Sequence, residues 1–341
     1  MGGGGQAEKG LEEKLLAGGG LWRPATQWVG ASGTNRRTFL AGGFCLCCLP
    51  AATHAGTAPS FAVEEIAPGI HFRRGVDEDA SHDNGNAIAN IGFVVGKAGV
   101  LVLDPGGCLA DGERLRAGIV KTTSLPIKYV VMSHVHPDHI FGACAFLCDS
   151  PVFVGHARLK DMLHERGAYY REKLQALLGP EQAAEIVMPG MEVAVQAEID
   201  LGGRTLEVTA HEPSHTVCDL SLFDKTTGVL MAGDLLFIGR IPALDGSLRG
   251  WLKTLDKLTG TGASRVVPGH GPTAADWPSA ATPLKRYLAT LERDTRQAID
   301  RGIGLDEAVK QVASSERGAW TLFDEYNARN TAEAYRELEW E

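Results

Sequence analysis

From about residue 61 onward, the apolar positions follow two alternating rhythms. Gly92-Phe93-Val94-Val95 and Val100-Leu101-Val102-Leu103 are short apolar runs flanking Gly96-Lys97-Ala98-Gly99, the pattern of a β-hairpin. Asp104-Pro105-Gly106-Gly107 breaks the second run. Residues 111–121 carry helical spacing, and Ile127 to Met132, apart from Lys128, is a continuous apolar run of the kind found in strands buried on both faces. Helical spacing returns at 157–178. A second strand-rich stretch covers 193–232, with a hairpin expected around Gly202-Gly203. A helix at 247–258, a strand at 264–267 and amphipathic helices at 281–301 and 305–315 follow. Leu284, Leu288, Leu291 and Ile299 keep one helical face, and Gly302 stops it. Strands and helices alternate through two similar halves. The expected fold class is therefore α/β, two packed sheets with helices outside.

With 341 residues, 44% of them hydrophobic, the chain can bury a core without a disulfide framework. Its formal charge of −9 disfavours a surface that coats a phosphate backbone, so no nucleic-acid partner is expected. Three of the seven cysteines (Cys45, Cys47, Cys48) share one apolar run near the N-terminus. The others (Cys108, Cys144, Cys148, Cys218) form no CxxC pair, so a structural zinc ribbon is not expected among them. Cys144 and Cys148, four apart, read as small buried apolar residues on one face of a helix.

The N-terminus reads as an address. Residues 1–34 are glycine-rich and lack a sustained apolar period, the composition of a disordered segment. Asn35-Arg36-Arg37-Thr38-Phe39-Leu40 opens an apolar stretch that ends near Ala52, and Thr53-His54-Ala55 resembles a cleavage site. The stretch is short for a bilayer span, which takes about 20 residues. The paired arginines are similar to a twin-arginine export signal, implying a periplasmic or secreted protein with no integral membrane segment in the mature chain. The expected division is 1–55, disordered N-terminus plus signal, and 56–341, one domain with C-terminal helices.

The chemically informative segment is Ser133-His134-Val135-His136-Pro137-Asp138-His139. Three histidines and an aspartate follow directly on a buried strand, and imidazole and carboxylate are the ligands zinc and similar divalent ions take. On a turn at a strand end, alternate side chains can converge on one point while the next pair faces a second.

This segment resembles the metallo-β-lactamase superfamily, whose signature is H-x-H-x-D-H. The resemblance extends to Ser214-His215-Thr216, to Ala232-Gly233-Asp234 where the family has an aspartate closing a strand, to the turn Pro268-Gly269-His270-Gly271, and to a strand-end aspartate, Asp104. It implies an αββα sandwich of two mixed sheets with helices on the outer faces. It also implies that His134, His136 and His215 bind one metal, that Asp138, His139 and His270 bind a second, and that Asp234 bridges them. Asp104 would orient a ligand histidine. The implied cofactor is two Zn2+, with iron as the alternative. The implied nucleophile is a hydroxide held between the cations, with Asp138 as the catalytic proton carrier. His211 reads as structural or as a partner behind a ligand, His156 and His164 as structural, and Cys218 as buried.

An aspartate at 234 is the pattern of thioesterases, lactonases and related hydrolases in the family, where β-lactamases carry cysteine or serine. The region past Pro272 lacks the basic pattern of a glutathione-binding glyoxalase II. Within the superfamily the chain is most similar to the quinoprotein relay system zinc metallohydrolases. Asn90-Ile91-Gly92-Phe93-Val94-Val95-Gly96, His134 to Gly142, and Gly239-Arg240-Ile241-Pro242-Ala243-Leu244-Asp245-Gly246-Ser247 carry that likeness, over residues 61–300. The last segment is expected to rim the site. The resemblance implies an exported dinuclear zinc hydrolase of a small ester, thioester, lactone or amide, linked to a quinoprotein dehydrogenase system. The alternatives are an iron-dependent oxidoreductase such as a persulfide dioxygenase, and a non-catalytic accessory protein of a quinoprotein.

Overall fold

The computed structural model describes residues 61–340. The glycine-rich segment, the export signal and the cysteines at 45, 47 and 48 lie outside the described residues.

Seven strands form the first sheet in sequence order: β1 (Glu64–Ala67), β2 (Ile70–Arg73), β3 (Ile91–Val95), β4 (Val100–Leu103), β5 (Ile127–Val131), β6 (Val152–His156) and β7 (Met191–Val193). β1 to β4 are antiparallel meander strands, and β4 to β7 run parallel. Parallel neighbours need crossovers, and helices α1 (Leu109–Thr122) and α3 (Leu159–Leu178) occupy two of those connections. Between β5 and β6 lie the one-turn helix α2 (Pro137–Ile140) and a 3₁₀ segment, Ala143–Asp149.

The second sheet has the order β13-β12-β11-β10-β9-β8, from β8 (Gln196–Asp200), β9 (Thr205–Ala210), β10 (Leu220–Asp224), β11 (Val229–Phe237), β12 (Arg265–His270) and β13 (Ala275–Asp276). Only β11 and β12 are parallel, joined by a crossover containing α4 (Leu248–Thr259). The chain ends in α5 (Ala281–Asp300), α6 (Leu305–Gln311) and α7 (Phe323–Leu338).

Three apolar layers hold this together. Leu101, Val131 and Val154 of the first sheet meet Leu206, Leu222 and Met231 of the second in the central layer. The other face of the first sheet packs Val102 and Val130 on Leu115, Ile119 and Leu163 of α1 and α3. The other face of the second packs Leu230 and Val266 on Trp251, Leu284 and Leu288 of α4 and α5. Strands covered on both faces read as apolar runs, as Val130 and Val131 do, whereas Lys128 near the start of β5 is exposed. The fold is the expected αββα sandwich. Among the described residues, no helix is long and apolar enough to cross a membrane.

Four expectations change. Cys148 is exposed and Cys144 half-buried, because their segment is a 3₁₀ helix that turns Ala143 and Phe146 inward instead. The strand at 264–267 runs on to His270, and β11 continues through Asp234 to Phe237 where a strand end was expected. The helix at 305–315 stops at Gln311, and Ala313 takes a left-handed backbone before a second 3₁₀ turn. α7 was not read from the sequence at all. Its buried face holds Asn327, Asn330 and Thr331 beside Phe323, Ala334 and Leu338, so its apolar period is broken by polar residues.

Leu101, fully buried between the sheets, tests the central layer. Leu101→Ala is expected to cost about 2–5 kcal/mol in denaturant unfolding at fixed metal content. A loss below 1 kcal/mol, on the order of a surface substitution, would contradict this packing.

Candidate metal centre

All of the site residues predicted above come together at one end of the sandwich. The H-x-H-x-D-H segment leaves β5 as an extended turn, and α2 begins at Pro137 with His136 as its preceding residue. A proline at the first helical position loses no needed hydrogen bond and presets the backbone angle. His134 and His136 therefore point from extended chain, whereas Asp138 and His139 come from a helical turn. His215 sits in the loop between β9 and β10, Asp234 within β11 and His270 at the end of β12. Ligand atoms of His134, His136, His215 and Asp234 lie within 4.8 Å of one another, as do those of Asp138, His139 and His270.

Asp234 stands between the two groups. Its Oδ2 is 3.3 Å from His215 Nε2, 3.7 Å from His134 Nε2 and 3.4 Å from His270 Nε2, while Oδ1 is 3.1 Å from His139 Nε2. Asp138 Oδ2 lies 3.4 Å from His139 Nε2 and 3.3 Å from His270 Nε2. The approach leaves no room beside Asp234: a Cβ on Gly269 would lie 1.8 Å from Oδ1, so this position requires glycine.

Each of the five imidazoles spends one nitrogen on a protein partner. His139 Nδ1 donates to Asp104 Oδ2 at 2.8 Å, and His215 Nδ1 donates to Ala243 O at 2.6 Å. His270 Nδ1 donates to Ile88 O at 2.9 Å, and His134 Nδ1 meets Ser133 Oγ at 3.0 Å. His136 Nε2 is 3.2 Å from Asp245 Oδ2. The remaining nitrogens all face inward, and His134 Nε2, His139 Nε2 and Asp234 Oδ1 are buried without a hydrogen-bond partner. Buried polar atoms are ordinarily satisfied. Lone pairs of imidazole and carboxylate turned together in this way fit divalent cations with nitrogen and oxygen preference, zinc and iron among them.

Electrostatics divide the imidazoles: against the effect of burial, the Asp234 carboxylate raises His139 and His270. Burial pushes the His215 imidazole down to about 3 and His134 well below its ordinary value, leaving both neutral with a free lone pair. Burial alone would raise Asp234, but His139, His270 and His134 hold it well below the usual carboxylate range.

The sequence profile of the metallo-beta-lactamase superfamily matches residues 84–270, just over half of the chain. The chain belongs to the metallo-β-lactamase superfamily. A linear primary-alkylsulfatase of a Pseudomonas species is 24% identical over 254 residues, 63% of this chain and 48% of that protein. This chain therefore spans about half the length of that relative. A probable metallo-hydrolase of Bacillus subtilis is 27% identical over 54% of this chain and 85% of its own length. Two solved structures share the fold. The sec-alkylsulfatase of a Pseudomonas species has a TM-score of 0.62 at 16% identity, covering 82% of this chain and 50% of its own. A metallo-beta-lactamase from Pontibacter korlensis has a TM-score of 0.54 at 21% identity, covering 67% of this chain and 98% of its own.

For this superfamily member, Asp104 occupies the place expected of an orienting residue. It adopts a left-handed backbone, accepts from the Ser133 N–H at 2.7 Å and the Ser133 hydroxyl at 2.8 Å, and holds His139. His211 stays outside the cluster and bonds Ser221 Oγ at 2.8 Å, while His156 is buried at the end of β6 and His164 lies in α3. Cys218 is buried as expected, its thiol pushed up to about 12 by that burial.

The sequence reading missed three residues of the site. Asp245 reaches His136 from the segment expected to rim the site, and Arg166 of α3 and Arg329 of α7 both pair with Asp245. The sequence pointed to the segment around Asp245 but not to the residue. Nothing in it linked either arginine to positions 79 and 84 residues away. All three line a cavity of about 810 Å³ with Asp138, Asp234 and His270 at its floor.

Two outcomes follow. Asp104→Asn places a donor against two donors, and metal retention in chelator competition is expected to weaken about 10- to 100-fold; wild-type affinity would remove Asp104 from this role. For His211, burial and then Lys257 push the imidazole down to about 4 from 6.5. It is neutral in the fold and takes up its proton on unfolding, so its stabilising contribution is complete above pH 6.5 and is lost as the pH falls toward 4. Relative to His211→Gln, the wild type should lose about 3 kcal/mol across that window in urea unfolding. Parallel pH profiles of the two proteins would show the reading of His211 to be wrong.

Proposed function

We propose that this superfamily member is an exported dinuclear zinc hydrolase acting on a small ester, thioester, lactone or amide. The observation that carries the proposal is the set of seven side chains whose inward-facing nitrogens and oxygens converge, three of them buried without a hydrogen-bond partner, while every outer imidazole nitrogen is engaged elsewhere. His134, His136 and His215 would hold one cation and Asp138, His139 and His270 the other, with Asp234 between the two groups. Divalent cations bound there would supply a water activated near neutral pH and an electrophile for the substrate's carbonyl oxygen.

The chain's own residues do the rest. Asp138 is held ionised by His139 and His270 against the effect of burial, so it can accept a proton. It faces the cavity and can return that proton to the leaving group. Phe237 stacks on His270 at 5.0 Å and, with Trp251 against His215 at 5.3 Å, keeps an apolar wall behind the ligands. Export rests on the arginine pair and apolar run at 35–55, and the link to a quinoprotein dehydrogenase system rests on the likeness of the 90–96, 134–142 and 239–247 segments.

A second reading is hydrolysis of a sulfate ester. It is favoured by the alkylsulfatases found both among sequence relatives and among solved structures of this fold.

Elemental analysis of exported protein is expected to find about two equivalents of zinc. Chelation should abolish turnover and added zinc restore it, on a panel of esters, thioesters, lactones and an alkyl sulfate. Asp138→Ala is expected to lower kcat by about 10²–10⁴. Iron in place of zinc would favour the oxidoreductase reading, and turnover that survives complete metal removal would refute the hydrolase.

A further inference from the structure

Helix α7 lies beyond the stretch matched by the superfamily profile, yet it builds one side of the site. Asn330 accepts from the Leu244 N–H at 2.9 Å and donates to Pro242 O at 2.7 Å. Glu337 accepts from the Ser247 hydroxyl at 2.8 Å and the Leu248 N–H at 2.7 Å. Together they pin the segment that carries Ala243 to His215 and Asp245 to His136. The residue before Asn330 is Arg329.

Asp245 receives more positive charge than it can balance. Arg166 pairs with its Oδ2, and Arg329 Nη2 stands 3.4 Å from its Oδ1. The carboxylate is 9% exposed, whereas Arg329 is 52% exposed, weakly engaged and free to turn toward the cavity. Lys173, two turns along α3 from Arg166, lines the same cavity over the Tyr169 ring and has no carboxylate partner among the described residues. Glu165, 68% exposed and 3.9 Å from Arg166, is the other acid on this wall. On this wall three cations thus face two carboxylates; Asp79 and Arg240 across the cavity stand 3.6 Å apart, and Asp138 and Asp234 at the floor face the histidine cluster. Between these cations α3 presents Tyr169, Tyr170, Leu174 and Leu177, an apolar surface leading down to the ligands.

We infer that the substrate carries a fixed negative charge, a carboxylate or a sulfate, separated from its scissile bond by an apolar body, and that Arg329 with Arg166 binds that charge at the cavity mouth. This rests on the hydrolase reading for its context. Arg329 is a specificity residue: it makes no bond to a metal ligand and holds no reacting atom. The apolar α3 wall accommodates the body of the substrate, and the cations reject a neutral or cationic end.

The test uses the metal-loaded full chain with three 4-nitrophenyl esters of similar length: the pentanoate, the carboxylate-ended glutarate monoester and the sulfonate-ended 4-sulfobutanoate. Wild type should prefer one or both anionic esters about 10-fold in kcat/KM, the size of one exposed charge-assisted hydrogen bond. The preferred end distinguishes a carboxylate from a sulfate-like group. Arg329→Gln should erase the preference for the anionic esters through KM rather than kcat, and Arg329→Lys should restore part of it. Equal kcat/KM for neutral and anionic esters in wild type and Arg329→Gln overturns the inference while leaving the hydrolase intact. Binding is read separately by calorimetric titration with 1-hexanesulfonate, which the enzyme cannot hydrolyse. A Kd about 10-fold weaker in Arg329→Gln supports the inference even if no ester is turned over, and an unchanged Kd overturns it.

Discussion

The carboxylate of Asp234, out of water and facing four imidazoles, is the constraint around which the molecule is arranged. Its two oxygens lie within 3.7 Å of His134, His139, His215 and His270, which come from both sheets. A buried carboxylate among aligned lone pairs is costly unless positive charge sits between them. The surroundings are built to keep that geometry: Gly269 leaves out a side-chain carbon that would strike Asp234, and Asp104 holds the ring of His139 and, through the Ser133 N–H, the loop that bears it.

Because Asp234 needs partners from two directions, the site cannot belong to either half of the sandwich. The histidine-rich turn extends from the end of β5 in the first sheet, while Asp234 and His270 ride on adjacent parallel strands of the second, with His215 on the loop before it. The central apolar layer, with Leu101 and Val131 against Leu206 and Met231, sets the distance between the two ligand groups. Packing inside a protein is dense enough to transmit small displacements, so this layer governs the spacing of the two ligand groups as well as stability.

Outside the candidate ligands, the structure builds a charged cavity mouth. The loop after β11 is tied down by α7 through Asn330 and Glu337, and presents Asp245 both to His136 and to two arginines. One loop therefore links the inner metal ligands to the charged mouth. The superfamily core supplies the ligands, and the C-terminal helix supplies part of the wall.

The candidate ligands were legible in the sequence because their chemistry is local: three histidines and an aspartate after an apolar run, and single histidine or aspartate residues in short glycine- or serine-flanked segments. Most helices and strands were legible for the same reason, since an apolar face repeats within a few residues. α7 escaped because Asn327, Asn330 and Thr331 stand on its buried face, where the side-chain amides of Asn327 and Asn330 bond distant backbone in place of apolar contacts. Cys144 and Cys148 were placed inside because a helical period was assumed where the chain winds as 3₁₀. By itself, the sequence determined the family, the two-sheet architecture and which side chains are suited to hold metal. Only the tertiary structure decided that Asp234 faces both ligand groups, that Asp245 backs His136 and that Arg166 and Arg329 meet at the mouth. Those relations join positions far apart in the chain, and only the packing of the two sheets and α7 brings them within bonding distance.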